Sequence, residues 1–192
     1  MSSGFLETKV HLGDITEPYA LQDWPLLLLC ILIIDILVIF IARFYPDFFG
    51  KSINVWYDNF HLLAVIADVF IIAIGFLVAR YIYAAWLAPT YGFVPMYFLA
   101  LLLSVQLVHD ILFYVGVIRP IPYGHNEMID VFKDYAKENG WKILLADAGM
   151  VAGAAGLAMV LKEQPAHVSV ALGLLSVYTL PYILFTRNKW SP

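Results

Sequence analysis

Apolar residues in this chain fall in long unbroken runs, not in the strand alternations or narrow helical stripes of a water-soluble fold. Five runs are long enough to cross about 30 Å of hydrocarbon, at roughly 24–45, 58–85, 94–118, 143–162 and 167–187. Each is predicted to be a helix, because lipid offers no partner to an unpaired backbone N–H or C=O. Pro181 falls within the last and shortest run and predicts a kink there. Only Glu163 to Ala166 separates the fourth run from the fifth. A re-entrant pair is therefore the alternative, and two full spans are preferred.

One stretch has a different rhythm. In NEMIDVFKDYAKENG (126–140), Met128, Ile129, Phe132, Tyr135 and Ala136 recur on one helical face. Asp130, Lys133, Asp134 and Lys137 occupy the other, Asn126 is suited to cap the start, and Gly140 to end it. This predicts an amphipathic helix over about 126–139, lying flat on a membrane surface. The expected fold is an all-α integral membrane bundle of five transmembrane helices (24–192) with this one interfacial helix, preceded by an acidic tail at 1–23.

Composition agrees with the pattern. The chain of 192 residues is 62% apolar and 14% charged, with a mean hydropathy of +0.80. A soluble domain is about half apolar and about a quarter charged. Residues 1–23 have no basic stretch leading into an apolar core, so no cleavable signal peptide is expected. A net charge of −4 and the lack of any basic run argue against a nucleic-acid partner. The single cysteine, Cys30, allows no internal disulfide and reads as an inert buried thiol.

Charge also orients the spans. With five crossings, Arg43, Lys51, Arg119, Lys133, Lys137, Lys142, Arg187 and Lys189 share one side, against Lys9, Arg80 and Lys162 on the other. The positive-inside rule then puts the N-terminus outside, and the C-terminus and the amphipathic helix on the cytoplasmic side. Trp56 and Tyr57 are expected in an aromatic belt at the inner interface, and Arg80 is expected to snorkel to water at the outer one.

The chemistry lies in six ionisable residues inside the apolar runs: Asp35, His61, Asp68, His109, Asp110 and Asp147. At about 1.5 Å of rise per residue, antiparallel packing gathers all six in the inner half of the membrane. In the second run, Asp58, His61, Val65 and Asp68 fall on one helical face, and Gln106 shares a face with Asp110 in the third. Each buried aspartate costs about 2.5–3.5 kcal/mol to insert. No lysine or arginine falls among them, so some aspartates hold a proton or a cation sits with them.

Three readings follow. The cluster is a proton or cation pathway open to the inner side, built from Asp35, His61, Asp68, Gln106, His109, Asp110 and Asp147. Or it is a transition-metal site of a membrane enzyme, with His61, Asp68, His109 and Asp110 as candidate ligands. Or it is hydrogen-bonded glue between helices in a structural or accessory subunit. The pathway reading leads, and a non-enzymatic role is preferred. No mid-span lysine could anchor retinal, and the unequal depths of His61 and His109 argue against haem; the cofactor is left open, with a bound cation as the candidate. No Gly-rich phosphate loop, HExxH or serine-nucleophile motif occurs. Small residues in ADAGMVAGAAGLAMV, with Gly149 and Gly153 four apart, predict close packing of the fourth span. His125 and His167 lie at loop positions and are expected to be solvated, and His11, in the outer tail, carries no functional signal. The expected partners are the lipid bilayer and either further copies of the chain or a larger membrane assembly.

VWYDNFHLLAVIADVFIIAIGFLVARYIY (55–83), VHDILFY (108–114) and NEMIDVFKDYAKENG (126–140) resemble an uncharacterised group of multi-pass membrane proteins from large DNA viruses of algae and protists. The resemblance covers about half of the chain, from the second span to the start of the fourth. It implies a viral origin and residence in a host or virion membrane. That group has no assigned activity, so the resemblance carries over no catalytic residue.

Overall fold

A computed structural model describes residues 11–189; Lys9, used above for orientation, lies outside the described residues. Those residues form helices α1 (Trp24–Phe44), α2 (Lys51–Phe60), α3 (Leu62–Ile82), α4 (Pro95–Phe113), α5 (Glu127–Asn139), α6 (Lys142–Lys162) and α7 (Ala166–Leu184). Through π-helical turns, α3 continues to Tyr91 and α4 to Ile118. With these extensions, α1, α3, α4, α6 and α7 are each long and apolar enough to cross a membrane, as expected of an integral membrane protein.

The most central helix is α1, which packs on α3, α6 and α7, while α4 packs on both α3 and α6. Leu27, Ile31 and Ile39 of α1 are fully buried, as are Phe76 of α3 and Phe98 of α4. Of the paired glycines in α6, only Gly153 makes a close helix approach. A Cβ added there would sit 3.2 Å from Ile34 Cδ1 of α1, whereas nothing lies within 4 Å at Gly149. The α6–α7 connection is a short turn between two full-length helices, and α7 continues through Pro181 to Leu184.

The second span does not begin at 58 as expected. Residues 51–60 form a separate helix, and the chain reverses at His61, the one described non-glycine residue with positive φ (46°). The stripe of Asp58, His61, Val65 and Asp68 is broken there. Asp58 instead pairs with Arg43 at 2.7 Å. The buried Arg43 guanidinium also donates to Asn54 Oδ1 at 3.3 Å and to the Leu184 carbonyl at 2.9 Å, tying the C-terminal ends of α1 and α7 to α2.

Helix α2 is fixed from outside itself. The Glu138 carboxylate of α5 accepts the backbone N–H groups of Lys51 and Ser52, each at 2.7 Å, and so caps two of the free donors at the start of α2. Gly50, with φ of 83°, is required there, since a Cβ would run into that carboxylate. Burial alone would raise Glu138, but the Lys51 and Ser52 donors outweigh it and hold the carboxyl below its ordinary range. Asn126 caps α5 by accepting the Ile129 N–H at 3.1 Å, and Gly140 ends it with φ of 54°.

At the opposite end of the molecule, residues 11–23 fold against α6. Gly13 N–H donates to the Met159 carbonyl at 2.8 Å, and Ile15 is fully buried. Asp23 binds Lys162 at 2.7 Å and Arg80 at 3.3 Å. Arg80 therefore does not snorkel to water: it is 0% exposed, donates also to the Glu17 carbonyl, and lies 5.4 Å from the Trp24 ring centroid. Asp23, the Glu17 carbonyl and the Trp24 face hold one side of the guanidinium inside, while its Nε and Nη1 are buried without a hydrogen-bond partner among the described residues.

Candidate functional site

A cavity of about 700 Å³ lies among α2, α3, α4, α5 and α6. Asp68, Gln106, His109, Asp110 and Asp147 all line it. Asp35 is not on its wall but directly behind it, 0% exposed, reached through Tyr57. His61 is not part of the group. It is exposed at the reversal between α2 and α3, its ring 5.0 Å from that of Phe185, because the backbone turn directs it away from the cavity.

The reversal brings unexpected residues to the site. Trp56 Nε1 donates to Asp68 Oδ2 at 3.0 Å, and the Tyr57 hydroxyl lies 3.2 Å from that same oxygen. In a continuous helix, residues 11 or 12 apart would be about 17–18 Å apart along the axis. Only the break at His61 lets α2 fold back along α3 and make these contacts. The expected interfacial belt thus becomes the polar wall of the cavity at Trp56 and Tyr57, which sequence reasoning missed.

Tyr57 also lies 3.1 Å from Asp35 Oδ1, so a single hydroxyl stands between two carboxyl groups. A phenol carries one proton and donates to one acceptor at a time. Both contacts are hydrogen bonds only when one of the two carboxyl groups also holds a proton. Burial, then Asp35 and Asp68, push the Tyr57 hydroxyl well above its ordinary range, so it stays a donor. The second Asp35 oxygen, Oδ2, is buried without a hydrogen-bond partner.

On the α4 side, Asp110 Oδ1 accepts from Gln106 Nε2 at 2.7 Å and lies 3.1 Å from His109 Nδ1. His109 stacks on Phe113, with ring centroids 5.6 Å apart, and its side chain is 32% exposed, so it stands where the cavity meets its surroundings. Asp147 of α6 makes no hydrogen bond to a described side chain, and lies within electrostatic reach of Asp110 and Asp68. Tyr135 of α5 shares the wall; burial, then Asp147 and Asp68, push its hydroxyl up.

Among the described residues, the wall therefore carries three carboxylates and one imidazole, with a fourth carboxylate behind Tyr57 and no lysine or arginine. Among the described residues, no three His, Cys, Asp or Glu side chains converge as metal ligands would. His61, a proposed ligand of both the metal and haem alternatives, is outside the cavity altogether. No protein-family model matches the chain, and no curated protein or solved structure matches it either.

Proposed function

We propose that this integral membrane protein handles protons or cations, channel- or transporter-like, through the acidic cavity. The single observation that carries the reading is the surplus of acid. Asp68, Asp110 and Asp147 face one space and no basic side chain other than His109 shares it. An unbalanced carboxylate group inside a membrane is stable only with protons or a positive ion to offset it.

In this reading the five long helices form a transmembrane bundle with the N-terminus outside, and α5 lies on the cytoplasmic surface and floors the cavity. Asp68 and Asp110 are the principal carboxylates. His109, the exposed member, exchanges protons or ions with the inner side, and Asp147 extends the path along α6. Asp35 and Asp68, bridged by Tyr57, form the deep end, where a proton shifts between carboxyl groups through the phenol. A host or virion membrane is the expected residence if the viral resemblance reflects descent.

The test is flux in proteoliposomes. The native protein is expected to dissipate an imposed pH or cation gradient, and Asp68→Asn and Asp110→Asn are each expected to cut that rate at least tenfold. Unchanged flux in both variants refutes the pathway. A second reading, in which the cluster serves only to specify packing in a membrane assembly, is favoured by the donors Gln106 and Trp56, which satisfy Asp110 and Asp68 within the protein. It expects loss of assembly rather than loss of flux in the same variants.

A further inference from the structure

The cavity is larger and more apolar than a proton or small cation requires. Above the carboxylates its walls are mostly apolar, and such a surface cannot replace an ion's water. Along the cavity flank, Phe70 and Ile74 of α3 and Ile111 and Val115 of α4 line the space and yet are 57%, 52%, 50% and 53% exposed. In a bilayer, side chains in that position face acyl chains. These four side chains mark an exposed apolar flank of the cavity on α3 and α4.

Aromatic rings crowd the polar end. Trp56 and Phe132 have centroids 4.7 Å apart, Phe132 and Phe113 6.1 Å apart, and Phe113 continues the stack to His109. Carboxylates beside aromatic faces are the pairing that holds an organic ammonium: charge is offset by the acids and the attached carbon bulk by the rings. The volume of about 700 Å³ is that of a site for a drug-sized molecule. A phosphate-bearing lipid head would meet three carboxylates and no lysine or arginine, and is disfavoured.

From these observations we infer that the cavity binds a lipophilic organic cation, an amine or quaternary ammonium with aromatic or alkyl bulk, which enters from the bilayer between α3 and α4. Its positive centre lies among Asp68, Asp110 and Asp147, and its apolar part lies against Phe132, Ile71 and Ile111. The inference rests on the acidic surplus of the proposed function and names the species that offsets it.

Tetraphenylphosphonium and tetraphenylborate, equal in shape and opposite in charge, provide the test. The full chain in nanodiscs of zwitterionic lipid is expected to bind the phosphonium saturably, in competition with a long-chain quaternary ammonium, and the borate only as far as empty nanodiscs do. Asp68→Asn and Asp110→Asn are each expected to weaken phosphonium binding at least tenfold. Ile111→Trp, which fills the proposed entry from a lipid-facing position and leaves the buried cluster untouched, is expected to weaken it as well. Equal uptake of both probes, or phosphonium binding indifferent to all three substitutions, overturns the inference. Proton or metal-cation flux measured without the probe keeps the two proposals apart. Carboxylate-dependent flux with no phosphonium binding leaves the pathway standing and sinks the organic-cation site; saturable, carboxylate-dependent binding with no such flux does the reverse.

Discussion

At the scale of single residues, the deep end of the site turns on Tyr57. Among the described residues its hydroxyl is the one group within hydrogen-bonding distance of Asp35, whose second oxygen already has no partner there. Tyr57→Phe keeps the ring and removes only that bridge, so Asp35 is left wholly unsatisfied in a low-dielectric place. Leaving a buried polar group unpaired costs about 1–3 kcal/mol, and a loss of that size is expected in reversible unfolding from detergent micelles. In a double-mutant cycle, Asp35→Asn should then cost less in the Tyr57→Phe background than in the native one; equal costs would show that the two residues are not coupled. Arg43 presents the same physics with opposite charge. Asp58→Ala leaves the guanidinium buried with only two neutral acceptors, and removing one partner of a buried pair costs about 3–5 kcal/mol, measurable in the same unfolding assay.

At the scale of elements, α2 is the piece that makes the site and the piece least legible in the sequence. Its last three residues, 58–60, read as the start of the run that follows, and His61 is neither the glycine nor the proline that most often marks a chain reversal. The Gln106–Asp110 pair of α4 and the start and end of α5 could be read because they depend on spacing along one helix. The Trp56 and Tyr57 contacts could not, because they depend on a turn that propensity does not announce. That turn has a testable energy. A non-glycine residue at an unfavourable positive φ carries about 1–3 kcal/mol of strain. His61→Gly is therefore expected to be neutral or stabilising and to leave flux unchanged, whereas His61→Val is expected to destabilise. The Glu138 cap adds a pH dependence. Its carboxyl is held below the ordinary range, so the stability it contributes is present above the unfolded value of about 4.3 and is lost as pH falls through the lower folded value. Relative to the intrinsic exchange rate, protection of the Lys51 and Ser52 amides should persist in mild acid and fall only below about pH 4.3 in the native protein, and Glu138→Gln should show weak protection already at neutral pH and lose most of that acid response.

At the scale of the whole molecule, the all-helical class and the five long apolar helices were legible because lipid leaves a chain so few choices. Burial of Arg43 and Arg80 was not legible, since each rests on partners distant in sequence, Asp58 and Leu184 for one, Asp23 and Glu17 for the other. These two burials bear on the orientation argument, because a cation sequestered in the protein no longer reports the side of the membrane. Removing both leaves Lys51, Arg119, Lys133, Lys137, Lys142, Arg187 and Lys189 against Lys9 and Lys162, and the bias survives. Two exposed positions test it directly. Gln164 lies in the α6–α7 turn, at the end where Lys162 meets Asp23, and His125 lies in the loop before α5. The native Cys30 is 0% exposed, so a background of labelling is not expected. With the N-terminus outside, a membrane-impermeant maleimide applied to intact cells should label Gln164→Cys and spare His125→Cys until the membrane is opened. The reverse pattern would turn the molecule over and put the acidic cavity at the outer face, where it would draw its cations from outside the cell.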